Sequence, residues 1–469
     1  MRLMDDTFAD LFGDIWGMAG VTGDAGVPGD AVSFTGPRVV LASPFDVTGL
    51  ATGAVASATL AVARLLAERR GEPLAPVTVD SGMACAAFRG EALFSPIGWQ
   101  LAPLWDPIAG NYRAADGWIR LHTNYAHHRA AVRDVLRAED RDGVATAVAA
   151  WRTVDLETAI VAAGGAAAAM HARDEWLASP AGRATAGVPL LEFDQGSSGS
   201  APAWAGTTPT LPLSGVRVLD LTRVIAGPTC TKVLAWYGAD VLRIDPPGFE
   251  EVASLLPETT VGKRCAALDL NSIEGRAHFE ALLAEADVIV LGLRGDALAS
   301  LGYTDERLAV INPALIVARL NAYGWEGPWK NRRGFDSLVQ MSCGIAADGA
   351  ATFGRDEPTP LPVQALDYAT GWFLAAAVAR ALTTQLTNGA TTRISGSLVA
   401  TANLLYSLPR PPRALTAAAS DAVDLEETAT AWGQAKRVPM PGRIAGVVPQ
   451  WQHNAGPLAR RDAVWNSRE

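Results

Sequence analysis

Between positions 216 and 323 the chain repeats one grammar: a short apolar run, a loop, then a helix-length stretch. The apolar runs are VRVLDL (216–221), ADVLRID (239–245), RCAALDL (264–270), DVIVLGL (287–293) and LIVARLNAY (315–323). TCTKVLAWYG reads as a helix stopped by Gly238, and SIEGRAHFEALLAEA as one opened by Ser272. In the second helix Phe279, Leu282 and Leu283 recur at helical spacing. Strands alternating with helices imply βαβ units and a parallel sheet, and runs that are apolar throughout fit a sheet covered on both faces.

A Gly/Ser/Thr/Pro-rich stretch, DQGSSGSAPAWAGTTPTLP (194–212), reads as a linker. Before it, an apolar helix is expected from Leu50 to Arg70 and a strand in APVTVDS. NYRAADGWIRLHTNYAHHRAAVRDVL reads as turn, strand and helix, and WRTVDLETAIVAAGGAAAAMHARDEWLAS as two helices broken at Gly164-Gly165. After position 408, PRPPR and an acidic stretch near Asp424 to Glu427 read as surface chain. The expected fold class is α/β: a Rossmann-like parallel-sheet half plus a smaller α+β domain, joined by long linkers. The expected segments are 1–195, a linker 196–212, the sheet domain 213–405 and a C-terminal arm 406–469. An echo links the halves. PFDVTGLATG at Asp46 and ALDYATG at Asp367 each lead into an Ala/Leu helix, a Gly turn, a β-run and Ser-Gly.

Composition excludes several classes. With 469 residues, of which 49% are hydrophobic and 19% charged, the chain suits two or three globular domains. A net charge of −10 without a Lys/Arg-rich run argues against nucleic acid. Cys85, Cys230, Cys265 and Cys343 lie far apart, which reads as reduced thiols in a cytoplasmic protein. The acidic start MRLMDDTFADLFGDIWG leads us to expect no secretory signal, and no uninterrupted run of about 18 apolar residues leads us to expect no membrane span. His122, His127 and His128 crowd one segment but lack zinc-site spacing, so they read as surface or helix-face residues and no metal is expected.

In a doubly wound sheet, ligands sit outside the carboxyl ends of the strands. The loop Arg223 to Pro228 occupies that place after the first strand. Gly227 lets the backbone approach a ligand, Pro228 suits a first helical turn, and the helix N-terminus favours a phosphate. The loop is neither GxGxxG nor a Walker A sequence, so neither NAD nor ATP is favoured. Asp245, ending the second strand, sits where an acid reaches a ribose hydroxyl. Arg243, Lys263, Arg264 and Arg294 lie near strand ends and together suit a multiply charged phosphate ligand. Asp336, Asp356, Glu357 and Asp367 crowd a Gly/Pro-rich stretch, 321–371. A sheltered carboxylate there suits a covalent nucleophile on an acyl group, or an acid/base beside a thioester. Asp46, Asp336 and Asp367 equally suit helix N-caps.

Several of these stretches, in order, resemble the class III CoA-transferase family, which includes formyl-CoA and carnitine CoA-transferases and α-methylacyl-CoA racemases. They are LSGVRVLDLTRVIAGP, YGADVLRIDPPG, GKRCAALDLNSIEGR, ADVIVLGLRGDALASLGY, NPALIVARLNAYGWEGP, RRGFDSLVQMSCGIA and ALDYATG. PFDVTGLATG and NYRAADGWIRLHTNYAHHRAAV resemble the family's linker helix and the start of its small domain, so the pieces stand in rearranged and partly duplicated order. The resemblance implies coenzyme A as substrate and product, held on the region 211–323, and a dimer of interlocked chains. Arg223, Val224, Ile225, Ala226 and Gly227 match the CoA-contacting loop, although some transferases carry a polar residue where Ile225 stands. Lys263, Arg264, Arg294 and Tyr323 join them as expected coenzyme contacts. The family's nucleophilic Asp matches Asp367, and Asp46 in the second copy. Racemases use His-Asp where Phe335-Asp336 stand, so the base of a two-base racemase is missing. The reading is CoA transfer from an acyl-CoA to a carboxylic acid through an aspartyl intermediate, with Asp367, Asp46 and Asp336 as catalytic candidates. The alternatives are an acyl-CoA epimerase or isomerase and a non-catalytic CoA-binding subunit. No metal, nucleic acid or membrane partner is expected.

Overall fold

The computed structural model describes residues 5–20, 31–197, 202–206, 209–293, 297–411 and 423–468. The alternating grammar folds as one seven-stranded sheet. In chain order its strands are β1 (Leu191–Ser197), β2 (Arg217–Leu221), β3 (Asp240–Asp245), β4 (Lys263–Ala267), β5 (Val288–Leu291), β6 (Ile316–Asn321) and β7 (Ala390–Ser397). Across the sheet they lie β4-β3-β2-β5-β6-β7-β1, all parallel except β1, which runs antiparallel along β7. Counted from β2, the parallel strands follow the doubly wound order 3-2-1-4-5-6, which places the crevice at the carboxyl ends of the paired strands β2 and β5, where the connections leave in opposite directions. Every residue of β2 is buried, as a central strand covered on both faces requires.

Two long apolar helices form the centre of the molecule. α1 (Val47–Arg70) follows Asp46, α2 (Ala226–Trp236) follows β2, α3 is Asp336–Ser342, and α4 (Ala365–Asn388) carries Asp367. α1 and α4 pack along each other, and α4 packs on α2. Alanine and glycine permit this closeness. A Cβ added to Gly371 would lie 2.4 Å from the Ala226 carbonyl oxygen and 2.7 Å from Thr229 Cβ. α1 is long and apolar enough to cross a membrane, yet 89% of its apolar window is buried inside the protein.

The echo in the sequence is also an echo in structure. Val32–Thr35 and Val77–Asp80 pair in parallel on either side of α1 in the chain, as β6 and β7 do for α4. The smaller α+β unit has strands Gly110–Arg113, Trp118–Leu121 and Ala167–Ala169, packed by helices Ala126–Leu136, Arg141–Val148 and Thr153–Ala162.

Three expectations change. The Ala-rich run after Gly165 is a buried strand, Ala167–Ala169, rather than the start of a helix: pairing with Trp118–Leu121 in a closed core overrides alanine's helix propensity. The start of the linker is ordered as β1, because β7 would otherwise be a bare sheet edge. Within the C-terminal arm, Glu426–Thr430 and Gly433–Arg437 form a hairpin extended by Ser95–Pro96.

Candidate active site

The loop after β2 opens on a cavity of about 200 Å³ at the carboxyl ends of the strands. Arg223, Val224 and Ala226 line it from the loop, and Asp367 lines it from the first turn of α4. Val224 is a β-branched residue at φ +64°, a conformation that costs of order 1–3 kcal/mol and persists only where the surroundings impose it. Here Glu251 imposes it. Its Oε2 accepts the Val224 N–H at 3.1 Å, its Oε1 accepts the Tyr125 hydroxyl at 2.6 Å, and Arg243 Nη2 lies 3.3 Å from Oε2. One buried carboxylate thus ties the loop to the smaller unit and to β3. Arg223 stacks 3.6 Å over Phe249, which also faces the cavity, and stays about a quarter exposed. The N-terminus of α2 opens here, with the free N–H groups and partial positive charge that suit an anion.

The smaller unit closes the cavity with Tyr125, His127 and His128. Burial pushes the His128 imidazole down to about 3, with His127 and Arg333 acting the same way, and burial lowers His127 too. Both rings are therefore neutral at pH 7. His122 lies behind them, stacked 3.6 Å from the Phe335 ring at 4° between planes. Its pKa is held well below the ordinary value, first by burial and then by His128 and Arg120.

Asp367 is buried and sits beside a second carboxylate. Asp336 Oδ2 accepts the N–H groups of Leu366 (2.8 Å) and Asp367 (3.1 Å), and Oδ1 accepts Gln340 Nε2 (2.5 Å). Gln340 in turn accepts the Leu361 N–H at 2.8 Å, which fixes which way its amide faces. Gln364, in the N-cap position of α4, makes no side-chain cap, so Asp336 satisfies the orphan N–H groups from another helix. Burial raises the Asp367 carboxyl well above the usual range, and the charges of Asp336 and Glu91 push it further. Asp336 is also raised, by burial, to about 6. Glu91, from the N-terminal half, accepts the Tyr368 hydroxyl and lies 3.3 Å from Gln364 Nε2.

The remaining sequence candidates lie elsewhere. Asp46 is the N-cap of α1. Its Oδ1 accepts the Gly49 N–H at 2.8 Å, and both oxygens take Arg38, at 2.8 and 2.5 Å. Asp336 holds α4 rather than facing the loop cavity. Lys263 is wholly buried, bonded to Asp220 (2.9 Å) and to the Pro228 carbonyl (3.0 Å), so it braces the loop from beneath. Arg264 forks onto Asp240 at 2.8 Å, at the amino end of β3. Tyr323 is buried among Trp176 and Trp329, its hydroxyl 3.1 Å from Ser342 Oγ. Asp245 accepts Arg243 at 2.8 Å instead of facing the cavity. Gly227 serves packing, since a Cβ there would lie 2.3 Å from Thr222 Cβ. Ile225 faces an adjoining constriction rather than the main cavity. Asp356 is exposed and paired with Arg113 at 2.9 Å. Arg294 lies outside the described residues. Sequence reasoning missed Phe249 and Glu251, whose roles depend on folding. The histidine crowding was visible, and His127 and His128 do sit on a helix, Ala126–Leu136; that they face this cavity beside Tyr125 was not legible.

Residues 213–418 match the model of CoA-transferase family III. The chain is 32% identical over 240 residues to the acetyl-coenzyme A transferase nodX of Hypoxylon pulicicidum, covering 49% of this chain and 40% of that protein. It is 34% identical over 148 residues to the formyl-CoA:oxalate CoA-transferase of Escherichia coli O81, covering 29% and 36%. A crystal structure of the hypothetical protein Rv3272 from Mycobacterium tuberculosis aligns at 32% identity over 42% of this chain and 58% of that one, with a TM-score of 0.37. The chain spans less than half the length of these two curated relatives.

Proposed function

We propose that this chain moves coenzyme A from an acyl-CoA to a carboxylic acid, with Asp367 as the covalent nucleophile. The observation that carries the reading is the meeting of Asp367 with the strained loop 223–227 in one cavity, outside the carboxyl ends of the sheet. At about 200 Å³ the cavity suits the narrow pantetheine arm and its thioester. The nucleotide end would lie outward, where Arg223 and the N-terminus of α2 favour its phosphates.

The chemistry needs no external acid or base. An Asp367 oxygen attacks the thioester carbonyl and expels the CoA thiolate, leaving a mixed anhydride. The thiolate attacks the aspartyl carbonyl of that anhydride, releasing the donor's carboxylate and leaving CoA as an Asp367 thioester. The acceptor carboxylate attacks this thioester and expels the thiolate, giving a second anhydride. The thiolate then attacks the acceptor's acyl carbon, freeing the product acyl-CoA and the Asp367 carboxylate. Burial beside Asp336 and Glu91 makes Asp367 more basic than a free aspartate, hence a better nucleophile once ionised. The test is transfer between a panel of acyl-CoA donors and carboxylic acids. Turnover by the wild type and its loss in Asp367→Asn are expected; full turnover in Asp367→Asn would overturn the mechanism.

One observation favours a second reading. His128 is a neutral imidazole facing the same cavity as Asp367, an arrangement that also suits proton exchange at an acyl α-carbon. Deuterium uptake by an acyl-CoA in heavy water, without transfer, would select that reading.

A further inference from the structure

The first turn of α4 sets which way Asp367 points, and a residue of the N-terminal half holds that turn. Gln364 stands at the N-cap position, and Asp367 and Tyr368 follow it into the helix. Consecutive helical side chains lie about 100° apart around the axis, so a fixed Tyr368 fixes the direction of Asp367. Tyr368 is fixed twice. Its ring stacks on Phe88, with 5.4 Å between centroids and 26° between planes, and its hydroxyl donates to Glu91 Oε2. The other oxygen of Glu91 accepts Gln364 Nε2 at 3.3 Å. One carboxylate thus grips the side chains on both flanks of Asp367.

This grip differs from the one Asp336 applies. Asp336 accepts backbone N–H groups of α4, whatever side chains follow. Glu91 takes side chains, so it selects the rotation of the turn rather than its existence. Glu91 belongs to a helical turn, Gly90–Leu93, that is itself braced. A Cβ added to Gly90 would lie 3.1 Å from Glu258 Oε2, and that oxygen takes Lys232 of α2 at 2.5 Å. The nucleophile helix and the loop helix therefore meet the same N-terminal segment. The charges around the pair are also defined. After burial, Asp336 and Glu91 press on the Asp367 carboxyl. Arg223, Arg332 and Arg333, with His127, His128 and Tyr125, line the cavity that Asp367 faces. Glu91 feels the charge of Glu258, which is met by Lys232 and by Arg437 at 3.7 Å.

We infer that Glu91 is a positioning residue of the transfer site: through Tyr368 and Gln364 it holds α4 in the rotation that turns Asp367 toward the strained loop. The inference rests on the transferase reading above. Glu91 is absent from the lining of the Asp367 cavity, so it acts through these two side chains and not on substrate.

The experiment compares the full wild-type chain with Glu91→Gln, Glu91→Ala, Tyr368→Phe and the double variant Glu91→Ala/Tyr368→Phe, using the donor and acceptor that the wild type turns over fastest. Glu91→Ala and Tyr368→Phe are expected to lower kcat by about tenfold to a hundredfold, the scale of a group misplaced by about 1 Å, while KM for the acyl-CoA changes less than about twofold. The double variant should fall no further than the worse single one, because both remove the same contact. Glu91→Gln keeps an acceptor for the Tyr368 hydroxyl and should recover kcat to within about threefold. It also removes a negative charge beside Asp367, so the acid limb of kcat should move to lower pH. A merely structural role would cost stability and leave that limb in place. Wild-type kcat in Glu91→Ala, additive losses in the double variant, or an unmoved limb in Glu91→Gln would overturn the inference. Infrared titration of the Asp367 carboxyl, taken as the difference from Asp367→Asn, separates the two claims. A lower midpoint in Glu91→Gln, with no transfer by the wild type to any acid, would keep Glu91 acting on Asp367 and sink the transferase reading. An unchanged midpoint would overturn the inference even where the wild type transfers CoA.

Discussion

Replacing Asp46 separates the two copies of the Asp-helix segment most cleanly. Its carboxylate caps Gly49 and takes both arms of Arg38, with the Asp46 side chain 2% exposed and the Arg38 side chain 29% exposed. Loss of an N-cap to alanine costs about 1 kcal/mol. Breaking a fully buried ion pair costs about 3–5 kcal/mol and an exposed one contributes at most about 1. Arg38 reaches solvent, so about 2 kcal/mol is apt for this pair. Asp46→Ala should therefore lose about 3 kcal/mol. Asp46→Asn keeps the capping oxygen and loses the charge, so about 1–2 kcal/mol is expected. Urea unfolding at pH 7 measures both. Transfer assayed where all variants remain folded should change by less than about twofold, because Asp46 is absent from the lining of the cavity that Asp367 faces. An Asp46→Asn variant of native stability whose kcat/KM fell by about a hundredfold, some 2.7 kcal/mol of barrier, would refute the reasoning.

Further predictions rest on other contacts. Gly371→Ala places a methyl 2.4 Å from the Ala226 carbonyl, so α4 must part from the loop helix. A cost of about 1–3 kcal/mol in stability and a raised KM for acyl-CoA are expected, measured by unfolding and initial rates. Glu251→Ala releases Val224 and Tyr125 together, and CoA affinity by calorimetry should fall by about tenfold or more. Asp367 must be ionised to attack, and burial raises its pKa, so kcat should climb with pH along an acid limb displaced above the ordinary carboxylate range. Asp336→Asn removes the neighbouring charge and should move that limb to lower pH. The stability effect has the opposite sign. A carboxyl raised in the folded state binds its proton more tightly there than when unfolded. The contribution of the pair to stability is thus fully present below the unfolded pKa and lost as pH rises through the folded one, about 6 for Asp336. Unfolding across pH 4 to 8 tests this.

The sheet was legible because its strands announce themselves. Runs such as VRVLDL and DVIVLGL are apolar throughout, and Ser272 and Gly238 punctuate the helices where the structure places them. The loop 223–227 was legible through position in that grammar, and Asp367 through the resemblance of ALDYATG to the family's segment. The partners of each charge were not. Lys263 and Arg264 look alike in sequence. Strand alternation sends one under the loop to Asp220 and the other to Asp240. Asp46 and Asp367 share a local motif, and only the fold puts Arg38 on one and an open cavity before the other. Glu251 carries no motif; its role arises from three groups that lie 8, 27 and 126 residues from it in sequence. The Ala167–Ala169 strand was hidden because alanine favours helices until a core closes around it.

The central claim is that Asp367, and not Asp46, carries the covalent intermediate. The direct measurement is peptide mapping by mass spectrometry after brief incubation with acyl-CoA and acid quench, for wild type, Asp46→Asn and Asp367→Asn. The account predicts a CoA or acyl adduct on the peptide containing Asp367 in the first two proteins and none in the third. An adduct on the Asp46 peptide, or one that survives in Asp367→Asn, would contradict it.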